Sequence, residues 1–270
     1  MTIQPSSTTT QSTFDLKGRT AFISGAAGHL GRAMARALAE AGAHVILNGR
    51  DETRLKDFQG DLARSGFACE RAAFDMGDFV AVRRFFASRA RIDVLVNNAI
   101  FMAVKPFDAL SPADFDATYR SSVTAAFEAV RAAKPALVAA AREAGEASVI
   151  NIASMYGSVA PDARIYAERG HQSPFHYGPA KAALLQLTRH LAAELGPERI
   201  RVNALVPGPF PRAEVQMRDP AFADRLSGKT MLGRLGDANE IRGPLLFLAS
   251  PASSFVTGAA LPVDGGWTAW

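Results

Sequence analysis

Short aliphatic runs alternate with longer segments of three-to-four hydrophobic spacing along nearly the whole chain. Thr20–Ser24, Val45–Asn48, Phe67–Phe74, Ile92–Val96, Ser148–Ile152, Ile200–Leu205 and Ala260–Val263 have the β-branched and aliphatic content of strands. Between them, His29–Ala41, Asp51–Ser65, Asp78–Ala90, Pro112–Glu143, a stretch starting near Tyr177, and Asp237–Leu248 follow helical spacing. Strands alternating with helices predict an α/β class: a doubly wound, seven-stranded parallel sheet with helices on both faces. Ligands of such sheets sit beyond the carboxyl ends of the strands, so polar residues at those ends are the candidates for chemistry.

Composition narrows the picture. A chain of 270 residues with 48% hydrophobic content suits one large domain. The Ser-, Thr- and Gln-rich residues 1–13 read as a disordered leader, and 14–270 as the domain. The net charge of +4 is modest, and the arginines are scattered, without the basic run that marks nucleic-acid binding. No apolar run approaches the ~18 residues of a membrane span. A single cysteine, Cys69, allows no internal disulfide and fits a reducing cytoplasm. No metal site is expected; the partner is a small molecule.

Two clusters carry the chemistry. The first strand runs into Gly25-Ala26-Ala27-Gly28-His29-Leu30-Gly31 and then a helix. Such glycines permit a tight turn and close approach to a pyrophosphate, which the helix N-terminus attracts. This is the cradle of a dinucleotide in a Rossmann-like domain. The second strand ends at Asn48-Gly49-Arg50. An acidic residue there would hold the ribose 2′-hydroxyl of NAD, whereas Arg50 beside the uncharged Asn48 favours the 2′-phosphate of NADP. NADP is therefore the preferred cofactor and NAD the alternative. Asp51 reads as a helix cap. Asp75, with Met76 beside it, can receive the adenine amino group, or cap the next helix. Asn98 and Ala99 after the fourth strand brace the pocket.

In the second cluster, Tyr177 and Lys181 lie four residues apart, on one helical face. A phenol ionises near pH 10, too high for work at neutral pH. An ammonium about 4 Å away contributes roughly 4 kcal/mol, enough to lower that pKa by up to about 3. The pair reads as a tuned general acid/base, although the same spacing alone also describes an exposed helix pair.

The glycine turn, Asn97-Asn98-Ala99, Ser154, the Tyr177/Lys181 pair, Pro207-Gly208 and Val263-Asp264-Gly265-Gly266 occur in an order that resembles the short-chain dehydrogenase/reductase family. The N-terminal third is similar to its gluconate 5-dehydrogenase-like members. The resemblance implies an NAD(P)-dependent oxidoreductase that interconverts a secondary alcohol and a ketone. Sugars, polyols or sugar acids come first as substrates and 3-oxoacyl thioesters second, with an impaired cofactor-binding scaffold as the rival. Tyr177 would move the proton, Lys181 tune it and bind the nicotinamide ribose, and Ser154 hold the carbonyl. Gly25, Gly28, His29, Leu30, Gly31, Asn48, Arg50, Asp75, Met76, Asn98, Ala99, Pro207 and Gly208 would join Tyr177 and Lys181 in binding the cofactor. A homo-oligomer, tetramer or dimer, is also implied.

Several positions depart from the family pattern. His29 replaces a usual glycine, and Ile100 follows Asn-Asn-Ala where a glycine is usual. Ser122 stands where the fourth catalytic residue, an asparagine, is expected. Residues 158–176 form an insertion that contains Arg164, Arg169, His171 and His176. It separates Ser154 from Tyr177 and leaves Tyr166, which has no lysine four residues on, at the customary spacing. It is expected to border the active-site mouth, and residues 208–231 are expected to form a mobile lid.

Overall fold

The alternation is realised as seven strands: Thr20–Ile23 (β1), His44–Gly49 (β2), Cys69–Ala73 (β3), Val94–Asn97 (β4), Ala147–Ile152 (β5), Ile200–Pro207 (β6) and Ala260–Val263 (β7). In the computed structural model, which describes residues 10–166 and 172–270, they form one sheet in the order β3-β2-β1-β4-β5-β6-β7. Every neighbouring pair is parallel. The helices are His29–Glu40 (α1), Glu52–Arg64 (α2), Phe79–Ala87 (α3), Pro112–Tyr119 (α4), Ala125–Ala144 (α5), Tyr177–Leu195 (α6), Ala213–Arg218 (α7), Pro220–Ser227 (α8) and Arg242–Ala249 (α9).

Successive strand residues face opposite layers, and the core divides accordingly. Ile23 and Leu47 pack with Met34 and Leu38 of α1 and Leu245 and Leu248 of α9. Phe22 and Ile46 face the other way, onto Val82 and Phe86 of α3, Leu137 of α5 and Leu191 of α6. β4, β5 and β6 are buried along their whole length, as strands covered on both faces must be. The order reverses between β1 and β4, which opens a crevice at their carboxyl ends.

Three elements differ from the sequence expectation. The single helix expected over Pro112–Glu143 is interrupted at Arg120–Thr124 by a π-helical turn. There the hydroxyls of Ser121 and Ser122 donate to the Thr118 carbonyl at 3.1 and 2.8 Å, competing with the backbone ladder. The helix expected over Asp237–Leu248 begins as a 3₁₀ turn, Ala238–Ile241, capped by Asp237. Gln11–Phe14 also forms a 3₁₀ turn, so order starts before residue 14; residues 1–9 of the expected leader lie outside the described residues.

Candidate active site

The crevice is a cavity of about 1070 Å³. One wall is the turn between β1 and α1. Gly25 has φ +66°, and a Cβ there would lie 2.8 Å from the Asn98 amide nitrogen. A Cβ at Gly31 would lie 2.1 Å from the Gly25 carbonyl oxygen, so α1 can seat against the turn only if that residue is glycine. Asn98 donates its side-chain amide to the Ser24 and Gly25 carbonyls at 2.8 and 3.2 Å. The backbone N–H groups of Asn98 and Ala99 donate to the Ser24 hydroxyl. Asn98 thus holds the turn in shape.

Of the expected cofactor residues, Gly25, Gly28, His29, Leu30, Gly31, Asn48, Arg50, Asp75, Met76, Asn98, Ala99, Pro207 and Gly208 all line this cavity. Arg50 lies 3.7 Å from the Asp75 carboxylate, with both side chains exposed, an ion pair weak enough to be exchanged for a phosphate. Asp51 caps α2, accepting from the Arg54 N–H at 3.0 Å. Asn48 donates to the Ala72 and Phe74 carbonyls at 2.8 and 3.1 Å, which ties β2 to β3. Its Oδ1 and the His29 Nε2 are buried without a partner among the described residues. Two orphaned polar atoms beside a glycine turn at a helix N-terminus fit a polar, phosphate-bearing dinucleotide.

The opposite wall gathers Ser154, Tyr177 and Lys181. Lys181 is buried and donates to the carbonyl of Ile152, the last residue of β5, at 2.6 Å. Its Nζ is 5.7 Å from the Tyr177 ring centroid. Burial lowers the Lys181 pKa to about 8. Burial also raises that of Tyr177, and a hydrogen bond with Ser154 opposes that rise. The expectation of a phenol already lowered by the ammonium is thereby corrected for the protein alone. A low dielectric disfavours both charged forms, and the ammonium is engaged by a carbonyl. Behind the pair, Asn97 donates to Asn151 and Asn151 to Thr188, each at 2.9 Å, which pins α6 to β4 and β5.

Other candidates are placed differently. Ser122 is buried with its hydroxyl on the Thr118 carbonyl and is not part of the cavity wall. Tyr166 bonds the Tyr156 hydroxyl at 3.0 Å and its ring lies tilted against Phe222 at 5.6 Å, outside the cavity. The insertion is a structural link where described. Asp162 pairs with Arg164 and with Lys229, Arg225 donates to the Ile165 carbonyl at 2.5 Å, and Ile165 packs with Leu226 and Trp267. These contacts tie it to α8, inside the expected lid. His176, expected at the mouth, is fully buried, with Nδ1 3.0 Å from the Thr118 hydroxyl and Nε2 3.0 Å from the Ala103 carbonyl. Arg169 and His171 lie outside the described residues.

Sequence reasoning missed Arg120, Ser121 and Arg212 in the cavity wall. Arg120 donates to the Gly77 carbonyl and lies over the Phe79 ring at 4.3 Å. The π turn, which has no hydrophobic-spacing signal, brings Arg120 and Ser121 to the wall. It also missed how Pro207-Gly208 and the Asp264 turn meet: the Gly208 N–H donates to the Val263 carbonyl, joining the ends of β6 and β7.

Comparison with known proteins agrees with this geometry. A family model described as enoyl-(acyl carrier protein) reductase matches residues 25–268. A rhamnolipid-biosynthesis 3-oxoacyl-[acyl-carrier-protein] reductase of Pseudomonas aeruginosa is 33% identical, over 94% of this chain and 98% of its own. Gluconate 5-dehydrogenase of Gluconobacter oxydans is 33% identical, over 94% and 96%. A crystal structure of gluconate 5-dehydrogenase from Burkholderia cenocepacia, in complex with NADP and tartrate, superposes with a TM-score of 0.84 at 34% identity, covering 96% of this chain and 99% of that one. The glycine turn at the switch point, the tyrosine–lysine wall facing it and these full-length matches lead to one statement: the chain belongs to the short-chain dehydrogenase/reductase family of NAD(P)-dependent oxidoreductases.

Proposed function

We propose that the protein uses NADP to interconvert a secondary alcohol and a ketone, with Tyr177 as the proton donor or acceptor. The observation that carries this reading is that Ser154, Tyr177 and Lys181 share one cavity with the glycine turn. A bound nicotinamide would supply or accept the hydride and, when oxidised, would bring a positive charge into the cavity that Tyr177 lines. Ser154 holds the substrate oxygen toward the phenol, and Lys181 favours its phenolate and binds the ribose hydroxyls. Ser122 acts on this account only through the Thr118 carbonyl and the shape of the π turn. NADP is preferred because Arg50 is exposed at the wall with only a long contact to Asp75.

Kinship puts sugars, polyols and sugar acids first as substrates. The second class, 3-oxoacyl chains, has a specific observation in its favour: Ile100, Phe101 and Met102 in the cavity wall offer no side-chain hydrogen-bonding group of use to a polyol. A homo-oligomer, a cytoplasmic location in keeping with the single thiol of Cys69, and lid motion of residues 208–231 belong to the same proposal. Among the described residues no helix is long and apolar enough to cross a membrane.

The test is NADPH oxidation over ketoses, keto acids and 3-oxoacyl thioesters, with NADPH and NADH titrated by fluorescence. Turnover of at least one class is expected. Arg50→Ala should weaken NADPH binding about tenfold (~1.4 kcal/mol) and leave NADH unchanged. Cofactor binding without turnover on any substrate would favour a scaffold that has lost catalysis.

A further inference from the structure

The cavity wall continues outward as an apolar tract. Phe101 and Met102 line the cavity and are 43% and 41% exposed. Beyond them Val104 and Phe107 are 60% and 64% exposed, and Phe175 is 50% exposed. The Phe107 and Phe175 rings meet edge to face at 4.8 Å. Four exposed apolar side chains on one chain segment that starts in the cavity wall, with the Phe175 ring packed on the last of them, mark a surface that binds something.

The segment bearing them has no regular structure between Ile100 and Pro106, yet it is held in place. The Phe101 N–H donates to the Ser121 hydroxyl at 3.0 Å, and the Thr118 hydroxyl reaches the Phe101 carbonyl at 3.2 Å. The His176 ring lies 3.0 Å from the Ala103 carbonyl. Because that carbonyl only accepts, Nε2 carries the proton and donates. His176 directly precedes Tyr177, so this bond fixes the tract against the start of the catalytic helix. Phe175, on the other side of His176, is placed beside Phe107 by the same step of chain. The segment therefore carries exposed apolar side chains from the cavity wall out to the Phe107–Phe175 pair.

We infer that this tract seats the hydrocarbon chain of an extended substrate, so that the ketone reduced beside Tyr177 is the inner end of a molecule whose apolar chain lies along Phe101, Met102, Val104, Phe107 and Phe175. The inference rests on the redox reading of the same cleft and selects the 3-oxoacyl-type class within it. Continuity with the cavity argues for this occupant, since two of the five side chains belong to both. In the reduction, hydride passes from NADPH to the carbonyl carbon and a proton from the phenol to its oxygen, giving the 3-hydroxyacyl product and NADP⁺.

The experiment is kcat/KM for NADPH-dependent reduction of a homologous series of 3-oxoacyl thioesters, from short to long chains. A ketose serves as reference substrate, and the protein's mass in solution is measured in parallel. Each added methylene should raise kcat/KM about two- to fourfold until the tract is filled. Phe107→Ser and, separately, Val104→Ser should flatten the outer part of that series, while Phe127→Ser, an exposed apolar residue of α5, should follow the wild type. Both tract residues are exposed, and a thermal melt checks that the variants fold. A flat series with the ketose still reduced would overturn the inference and leave the redox reading standing. If Phe107→Ser then also lowered the oligomer mass, the tract would be an interface between copies. No NADPH oxidation on any substrate would overturn both.

Discussion

The two walls of the cleft are built by different means. On the cofactor side, backbone meets backbone: the Gly25 carbonyl lies where a Gly31 Cβ would have to go, and the Ser24 hydroxyl takes two N–H groups from the end of β4. On the substrate side, the segments that carry the wall residues Met102 and Tyr177, and those beyond them, are held by long-range side-chain bonds. Examples are His176 to Thr118 and Ala103, Arg225 to Ile165, and Lys229 to Asp162. A wall made by close backbone approach tolerates one residue type at each contact. A wall made by side-chain ties can be rebuilt with other pairs, and so it can be respecified for a new substrate while the cofactor wall stays.

The sharpest way to break this comparison is Gly31→Ala. With a Cβ 2.1 Å from a carbonyl oxygen, backbone has to move, and about 3 kcal/mol of stability should be lost together with most cofactor affinity. A thermal melt and a fluorescence titration measure both; a variant that binds NADPH normally would show that the turn is not close-packed as described.

The pH dependence of Lys181, in the wall with Ser154 and Tyr177, is the next largest effect. Its pKa in the folded protein is about 8, against an ordinary 10.5, because burial disfavours the ammonium. The unfolded chain holds that proton more tightly. The group therefore makes the free protein more stable as pH rises from about 8 to 10.5, and the penalty is fully present below 8. The gain is roughly 3 kcal/mol at most. Urea melts across that range should show it in the wild type and lose it in Lys181→Met.

On the substrate side, His176→Phe should remove two buried hydrogen bonds and cost about 2 kcal/mol. Substrate KM should rise several-fold while the cofactor Kd stays within about twofold. Equal loss of both would mean that the walls are not independent. Smallest of all, Arg225→Ala should cost about 1 kcal/mol and alter only substrate KM, because it removes one tie between α8 and the insertion without touching the glycine turn.

The same contrast explains what could be read from the sequence. The sheet, its order of elements and the residues Gly25, Gly31, Arg50, Ser154, Tyr177 and Lys181 were legible, since strand periodicity is local and each motif follows a strand end. Choosing Tyr177 over Tyr166 needed only the lysine four residues on, and the structure places Tyr166 against Tyr156 instead. The π turn was not legible: its added residue leaves the apolar spacing of the Pro112–Glu143 stretch readable as one helix. Nor was the burial of His176, because its partners lie 58 and 73 residues away in sequence. The direction in which the Tyr177 pKa moves was misjudged for the free protein. Sequence spacing gives proximity but not the dielectric, and here burial moves each group toward its neutral form.

The central claim is that the Tyr177 hydroxyl transfers the proton while the rest of the cleft binds the cofactor. Its direct test is Tyr177→Phe, assayed for NADPH-dependent ketone reduction and for NADPH affinity on the same preparation. Turnover should fall at least ~100-fold with the cofactor Kd unchanged within about threefold; a variant that keeps its kcat would contradict the account.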